Sequence, residues 1–209
     1  MCQIAILSRM EDRFCTIRAR VRAEIKVQGS RFIGTAVPVR AREEAEAAVG
    51  EVRKEHHNAT HHCYAYRLGA GGEEFRFNDD GEPSGSAGRP ILGALERAGL
   101  TNLVVVVTRY FGGTKLGVGG LARAYGGAAS LVLGSAERET RYLMSTLLLS
   151  VPHAYVGEVM RTVSRLGVRI GDTTYDEEVH LRLEVCRSRL EQVKAGLVEC
   201  TAGNVRFSR

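Results

Sequence analysis

The sequence has no tryptophan, only four prolines and no CxxC pair. Its five cysteines, Cys2, Cys15, Cys63, Cys186 and Cys200, are odd in number and scattered. That argues against a disulfide framework and against a cysteine zinc site, and it fits a reducing cytoplasm. No apolar run reaches the roughly 18–20 residues of a membrane helix. The opening MCQIAIL is too short for a signal core and has no basic flank before it. A soluble, cytoplasmic protein without membrane contact is the expectation. Lysine is scarce as well: Lys26, Lys54, Lys115 and Lys194 stand against 25 arginines. The formal net charge is +5 and the pI about 9.1. Arginine forks suit phosphate and carboxylate, so RNA or an acidic protein is a candidate partner. The excess is spread along the chain, however, and forms no basic tail, so a compositional bias towards arginine accounts for it equally well.

What is present is globular. The 209 residues are 44% hydrophobic and 25% charged, enough for one large domain or two modest ones. Val21, Ala23, Ile25 and Val27 alternate with Arg22, Glu24 and Lys26, the period of a half-buried strand. Gln28-Gly29-Ser30 is a turn and Arg31–Val37 the return strand. Ala41 to Glu55 has Ala41, Ala45, Ala48, Val49 and Val52 on one helical face. Cys63–Leu68 and Glu74–Phe77 form a hairpin around Gly69, Gly71 and Gly72. Pro90 opens a short helix that Gly99 ends. Leu103–Val107 is an unbroken apolar run, as in a central strand. Val118, Leu121, Ala122, Tyr125, Ala128, Ala129 and Val132 then repeat at helical spacing over about four turns.

The last third has its own rhythm. A strand over Arg141–Val151 is followed by a helix carrying Val156, Val159, Met160, Val163 and Leu166. Val168–Thr174 and Val179–Val185 form a hairpin, and Ser188-Arg189-Leu190-Glu191 reads as a capping box before another helix. Val205 and Phe207 mark a last strand. The order βαββαβ is the split-βαβ plan of ferredoxin-like domains. The fold class expected is α+β in two domains, residues 1–137 and 138–209.

Three segments depart from ordinary core and surface composition, and glycine concentrates among them. THHCYAYRLG (60–69), DDGEPSGSAGRP (79–90) and TNLVVVVTRYFGGTKLGVGGLARAYGG (101–127), together with EIKVQGSRFIGTAVPV (24–39), resemble the YigZ/IMPACT family. The match runs from about Glu24 to Leu133. One departure is Gln28-Gly29, where that family commonly has a lysine before Ser-Arg-Phe. The resemblance implies a first domain like domain IV of elongation factor G and a small-subunit ribosomal protein. It implies a second like that factor's ferredoxin-like C-terminal domain. Eukaryotic relatives regulate translation by binding the large activator of the kinase that senses uncharged tRNA, and they carry an extra domain not expected here. Contact with RNA, the ribosome or a ribosome-associated protein is what the resemblance implies. Residues 1–20 match nothing in the family pattern.

Asp79, Asp80 and Glu82 crowd three carboxylates into four positions, with Ser84 close behind. They can hold a divalent cation or receive a partner's arginine. Equally, the aspartates can serve as turn acceptors and helix caps while Glu82 pairs with Arg89 or Arg109. The spacing is not that of an EF-hand. Gly117, Gly119 and Gly120 leave amides free at a helix start, an anion site to which Arg109 and Lys115 add charge. The loop is neither a Walker A sequence nor a dinucleotide fingerprint, and a tight structural loop is the other reading. Gly126 and Gly127 are expected to let that helix pack closely on the sheet. Arg109, Tyr110, Lys115 and Arg123, with Phe111, mix cations and aromatics as single-stranded RNA sites do, although Tyr110 and Phe111 can equally cover the core. His56, His57, His61 and His62 cluster in sequence but would point in different directions, a poor zinc set. Gly81-Glu82-Pro83-Ser84-Gly85 is not a nucleophile elbow, and no HExxH is present.

The sequence therefore favours a translation-associated binding protein with no cofactor, no metal and no catalytic residue. One alternative is a small-ligand binder or enzyme that joins the acidic loop to the glycine-rich helix start in one pocket. The other is a protein-interaction module using an apolar sheet face.

Overall fold

The computed structural model describes residues 12–208. The chain divides into two compact units that part between residues 141 and 142, with the residues at 12 and 13 joining the second.

In the first unit, β1 (Arg13–Ile17) is followed by the hairpin of β2 (Val21–Val27) and β3 (Ser30–Pro38). Its turn places Gln28 and Gly29 at φ 45° and 83°, the left-handed pair that suits the twist of a two-residue hairpin. Helix α1 (Arg42–Glu55), β4 (His61–Leu68), β5 (Glu74–Asn78), α2 (Gly88–Ala98), β6 (Leu103–Tyr110) and α3 (Gly117–Ser135) follow. The strands form one antiparallel sheet in the order β2-β3-β6-β4-β5. A short β7 (Arg138–Tyr142) pairs with β1.

Strand β6 explains the layering. Val104 and Val106 point to one face and bury against Val49 and Val52 of α1. Val105 and Val107 point to the other and bury with Ile91, Leu95, Tyr125 and Val132 of α2 and α3. A strand covered on both sides has no need to alternate, hence the unbroken apolar run. Each such side chain contributes about 1.5–3 kcal/mol on burial.

The close approach of helix and sheet is made by a glycine of the sheet. A Cβ built on Gly34 of β3 would lie 2.9 Å from the Ala128 carbonyl oxygen of α3. At Gly126 and Gly127 the nearest atoms would be 3.6 and 3.7 Å away, ordinary contact distances. The helical glycines expected to permit that packing are therefore not what permits it.

The second unit comprises β8 (Met144–Val151), α4 (Val156–Arg165), β9 (Arg169–Tyr175), β10 (Val179–Cys186), α5 (Leu190–Cys200) and β11 (Arg206–Ser208). Its antiparallel sheet has the order β11-β8-β10-β9, the ferredoxin-like arrangement. Leu147, Leu149, Leu181 and Leu183 face Val159, Val163, Val193 and Leu197. The opposite sheet face carries the cross-strand pairs Ser150–His180, Leu148–Arg182 and Thr146–Glu184. With Met144 51% and Leu148 37% exposed on it, this face is mixed rather than fully polar.

Two local expectations are corrected. Arg141–Val151 is not one strand but β7 and β8, divided at Leu143, whose amide donates to the Asp12 carbonyl at 2.8 Å. The Ser188 capping box does not form. A single turn of 3-10 helix (Arg187–Arg189) leads into α5, whose N-cap Arg189 makes no side-chain cap bond. The Ser188 hydroxyl instead donates to the Asp12 carboxylate at 2.6 Å, an acceptor far away in sequence.

Candidate functional site

The three loop carboxylates have three separate jobs. Asp79 Oδ1 accepts the amides of Ala87 (3.0 Å) and Gly88 (2.8 Å), and Oδ2 accepts that of Gly85 (2.9 Å). Asp79 thus closes the loop and satisfies the first amides of α2, which otherwise has no cap. Asp80, at φ 43°, accepts the His62 amide at 2.7 Å and Arg53 at 2.5 Å. Glu82 turns inward, its side chain 4% exposed. Its Oε1 receives Arg109 Nη1 at 2.6 Å and the Tyr125 hydroxyl at 2.7 Å. The turn-and-cap reading of the aspartates and the Glu82–Arg109 pairing are what the loop is built for.

Arg109 is the penultimate residue of β6, 5% exposed, with its guanidinium 5.5 and 5.4 Å from the ring centroids of Phe32 and Phe111. Its Nη2 also reaches Ser30 Oγ at 3.5 Å, and Ser30 Oγ accepts the Gly112 amide at 3.1 Å. The β2–β3 turn is thereby tied to the glycine loop. The fit leaves no room for a side chain, since a Cβ on Gly112 would fall 1.9 Å from the Gly29 carbonyl carbon. Burial pushes the Tyr125 hydroxyl far above its usual range, so it stays a proton donor to Glu82. Burial likewise pushes the Cys63 thiol up to about 12, and that thiol donates to the Asp79 carbonyl.

Alternation along β4 separates the two central histidines. His61 faces the Glu82 side, with Nε2 3.9 Å from Glu82 Oε1. Its Nδ1 lies 2.7 Å from the Asp80 carbonyl, which only accepts, so Nδ1 carries the hydrogen. His62 lies on the α1 side and donates through Nε2 to the His56 carbonyl at 3.1 Å. His56 Nδ1 meets the Tyr110 hydroxyl at 3.0 Å. Burial lowers the pKa of both His56 and His62.

A cleft of about 400 Å³ opens beside this network, bounded by His61, Glu82, Arg109, Phe111, Lys115 and the first turn of α3. It brings together Glu82, Arg109, Lys115 and Gly117 from the residues singled out in sequence. Gly119 and Gly120 lie in the same first turn but do not line it. Asp79 and Asp80 are spent elsewhere, so the acidic loop contributes one carboxylate rather than three. Ser84 is exposed on the loop and lies outside the cleft. Tyr110 is on the α1 face of the sheet beneath Arg31, whose guanidinium lies 5.3 Å from its ring.

Arg123 belongs to a different surface. It lines a groove of about 560 Å³ between α2 and α3 together with Arg89 and Arg97, over a floor of Gly93, Gly126 and Gly127. The mixture of cations and aromatics expected to form one RNA surface is thus divided among a buried pair, a cleft and a groove. No carboxylate lines the groove. Among the described residues none of its three arginines is in an ion pair. Arg89 and Arg97 were legible only through their spacing: with Gly93 between them they recur every four residues, one face of a helix. Tyr125 and Ser30 gave no such signal, because one sits in an apolar helical stripe and the other in a turn.

The chain thus has a two-unit mixed α/β architecture with a buried Glu–Arg–Tyr network, and its class comes from its likeness to known proteins. The family model of the Impact N-terminal domain matches residues 28–133. The "IMPACT family member YvyE" of Bacillus subtilis is 35% identical over 190 residues, covering 91% of this chain and 88% of that protein. The "IMPACT family member in pol 5'region" of Thermus thermophilus is 47% identical over 133 residues, 64% of this chain and 71% of that one. A solved structure, "Crystal structure of an hypothetical protein", superposes with a TM-score of 0.68 at 30% identity, covering 94% of this chain and 96% of the other. The chain belongs to the YigZ/IMPACT family.

Proposed function

We propose that this protein is a translation-associated binding protein of the cytoplasm that contacts structured or single-stranded RNA of the ribosome through the groove between α2 and α3. The observation that carries this reading is the convergence of Arg89, Arg97 and Arg123 on a groove with no carboxylate. Three guanidinium groups held by two packed helices are pre-positioned for phosphates, and a floor of glycines lets a sugar–phosphate backbone come close to the helices. Family membership and the net charge of +5 agree with the reading.

Co-sedimentation with ribosomes from the host, across a salt series, tests it. Native protein is expected to bind at low salt and to dissociate as salt rises. An Arg89/Arg97/Arg123→Glu triple variant loses binding, and a triple alanine variant shows a salt slope shallower by about 2 in log–log form. No sedimentation of native protein at the lowest salt, or an unchanged slope in the alanine variant, sinks the reading.

A further inference from the structure

We propose that the cleft at the start of α3 binds a small organic anion, a phosphate or carboxylate head carried on an apolar body. The cleft and the arginine groove share no lining residue. Its charge balance points to an anion. Glu82 is neutralised by Arg109 and capped by Tyr125, and it lies deep, with 4% of its side chain exposed. Lys115 lines the cleft and is in no ion pair among the described residues. Helix α3 starts with no side-chain cap and no acidic residue in its first turn, so its free amides and dipole add positive charge at the same place. Arg109, 5% exposed and bonded to Glu82 and Ser30, also lines the cleft, so the one carboxylate there is already matched and the Lys115 charge is left over.

The walls point to the apolar body. Phe111 and Val118, which also line the cleft, are 49% and 59% exposed, large apolar side chains left in water. A volume of about 400 Å³ admits a ring or short chain with one head group. The head sits at Lys115 and the α3 amides, away from the Glu82 carboxylate, and the body lies between Phe111 and Val118.

The test uses the full chain and three probes of similar size: phenyl phosphate, benzoate and benzyl alcohol. Binding is followed by the NMR amide shifts of Gly117, Val118 and Gly119. One of the two anions saturates these shifts, and the tighter of the two names the head group. Benzyl alcohol, which has the ring without the charge, does not saturate over the same range. Lys115→Glu weakens the anion by about tenfold or more, and Val118→Asp does so independently from the apolar lining. Both positions are exposed, and unchanged melting temperatures show that the variants fold. Arg97→Glu, in the arginine groove and absent from the cleft lining, leaves anion binding unchanged, which keeps the outcome apart from that of the RNA reading. Failure of both anions to saturate, equal binding of benzyl alcohol, or native-like affinity in Lys115→Glu overturns the proposal.

Discussion

Glu82 Oε1 and Arg109 Nη1 lie 2.6 Å apart with side chains 4% and 6% exposed, and the Tyr125 hydroxyl donates to the same oxygen. Removing one partner of such a pair leaves a buried charge without compensation. Glu82→Ala and Arg109→Ala are each expected to cost about 3–5 kcal/mol in urea unfolding. The double variant Glu82→Gln/Arg109→Met is expected to lose clearly less than the sum of its parts. Additive losses would show that the two groups are not coupled.

Acid should loosen the α1 side of the sheet. Burial holds His62 and His56 below the ordinary histidine value of 6.5, so between that value and the folded one the unfolded chain binds more protons. Stability is complete above pH 6.5 and falls as pH drops through it. Melting temperatures measured downward from neutral pH should show this fall, and His62→Gln should flatten it. A slope unchanged in that variant would assign the effect to other groups.

Asp79 carries the start of α2 alone. Asp79→Ala frees three amides and is expected to cost about 0.5–2 kcal/mol, while Asp79→Asn retains part of the stability. Thermal unfolding of both variants is the measurement, and a native-like alanine variant would contradict the capping role.

Two glycine substitutions should have opposite signs. Gly34→Ala drives a Cβ against the α3 backbone and is expected to destabilise by about 1–3 kcal/mol. Gly126→Ala meets only ordinary contacts and should gain up to about 1 kcal/mol of helix propensity. Denaturant midpoints of the pair decide whether the close approach is made by the sheet or by the helix.

Cys63 should be inert in the folded protein. It is fully buried, its thiol is pushed up to about 12, and it is engaged with the Asp79 carbonyl. Iodoacetamide at pH about 8 should label it only after denaturant is added, as read by peptide mass spectrometry. Labelling under native conditions would mean that the Asp79 loop opens.

Periodicity made the helices and most strands legible. Leu103–Val107 is the heart of β6, and the face of Ala45, Ala48, Val49 and Val52 is the buried face of α1. Where a pattern depended on tertiary partners it misled. Leu143 breaks a strand by bonding Asp12, and Ser188 serves the same aspartate rather than its own helix. The acidic loop was legible as chemistry but not as geometry. Three neighbouring carboxylates look alike in sequence, and only the turn at Asp80 and the reach of Arg109 sort them into a helix cap, a strand-and-arginine acceptor and a buried pair. Arg123 was grouped with Arg109 and Lys115 because they are close in sequence, while the packing of α3 beside α2 sets it with Arg89 and Arg97.

The alternation along β2 has one more consequence. This strand borders the five-stranded sheet, with Arg22, Glu24 and Lys26 all exposed. A border strand offers unpaired backbone groups to any extended chain that meets it, including another copy. Three charges in a row, each of which would have to shed its water against an incoming strand, guard that border against fibril growth. A variant with valine at Glu24 and Lys26 would keep the fold and lose the guard.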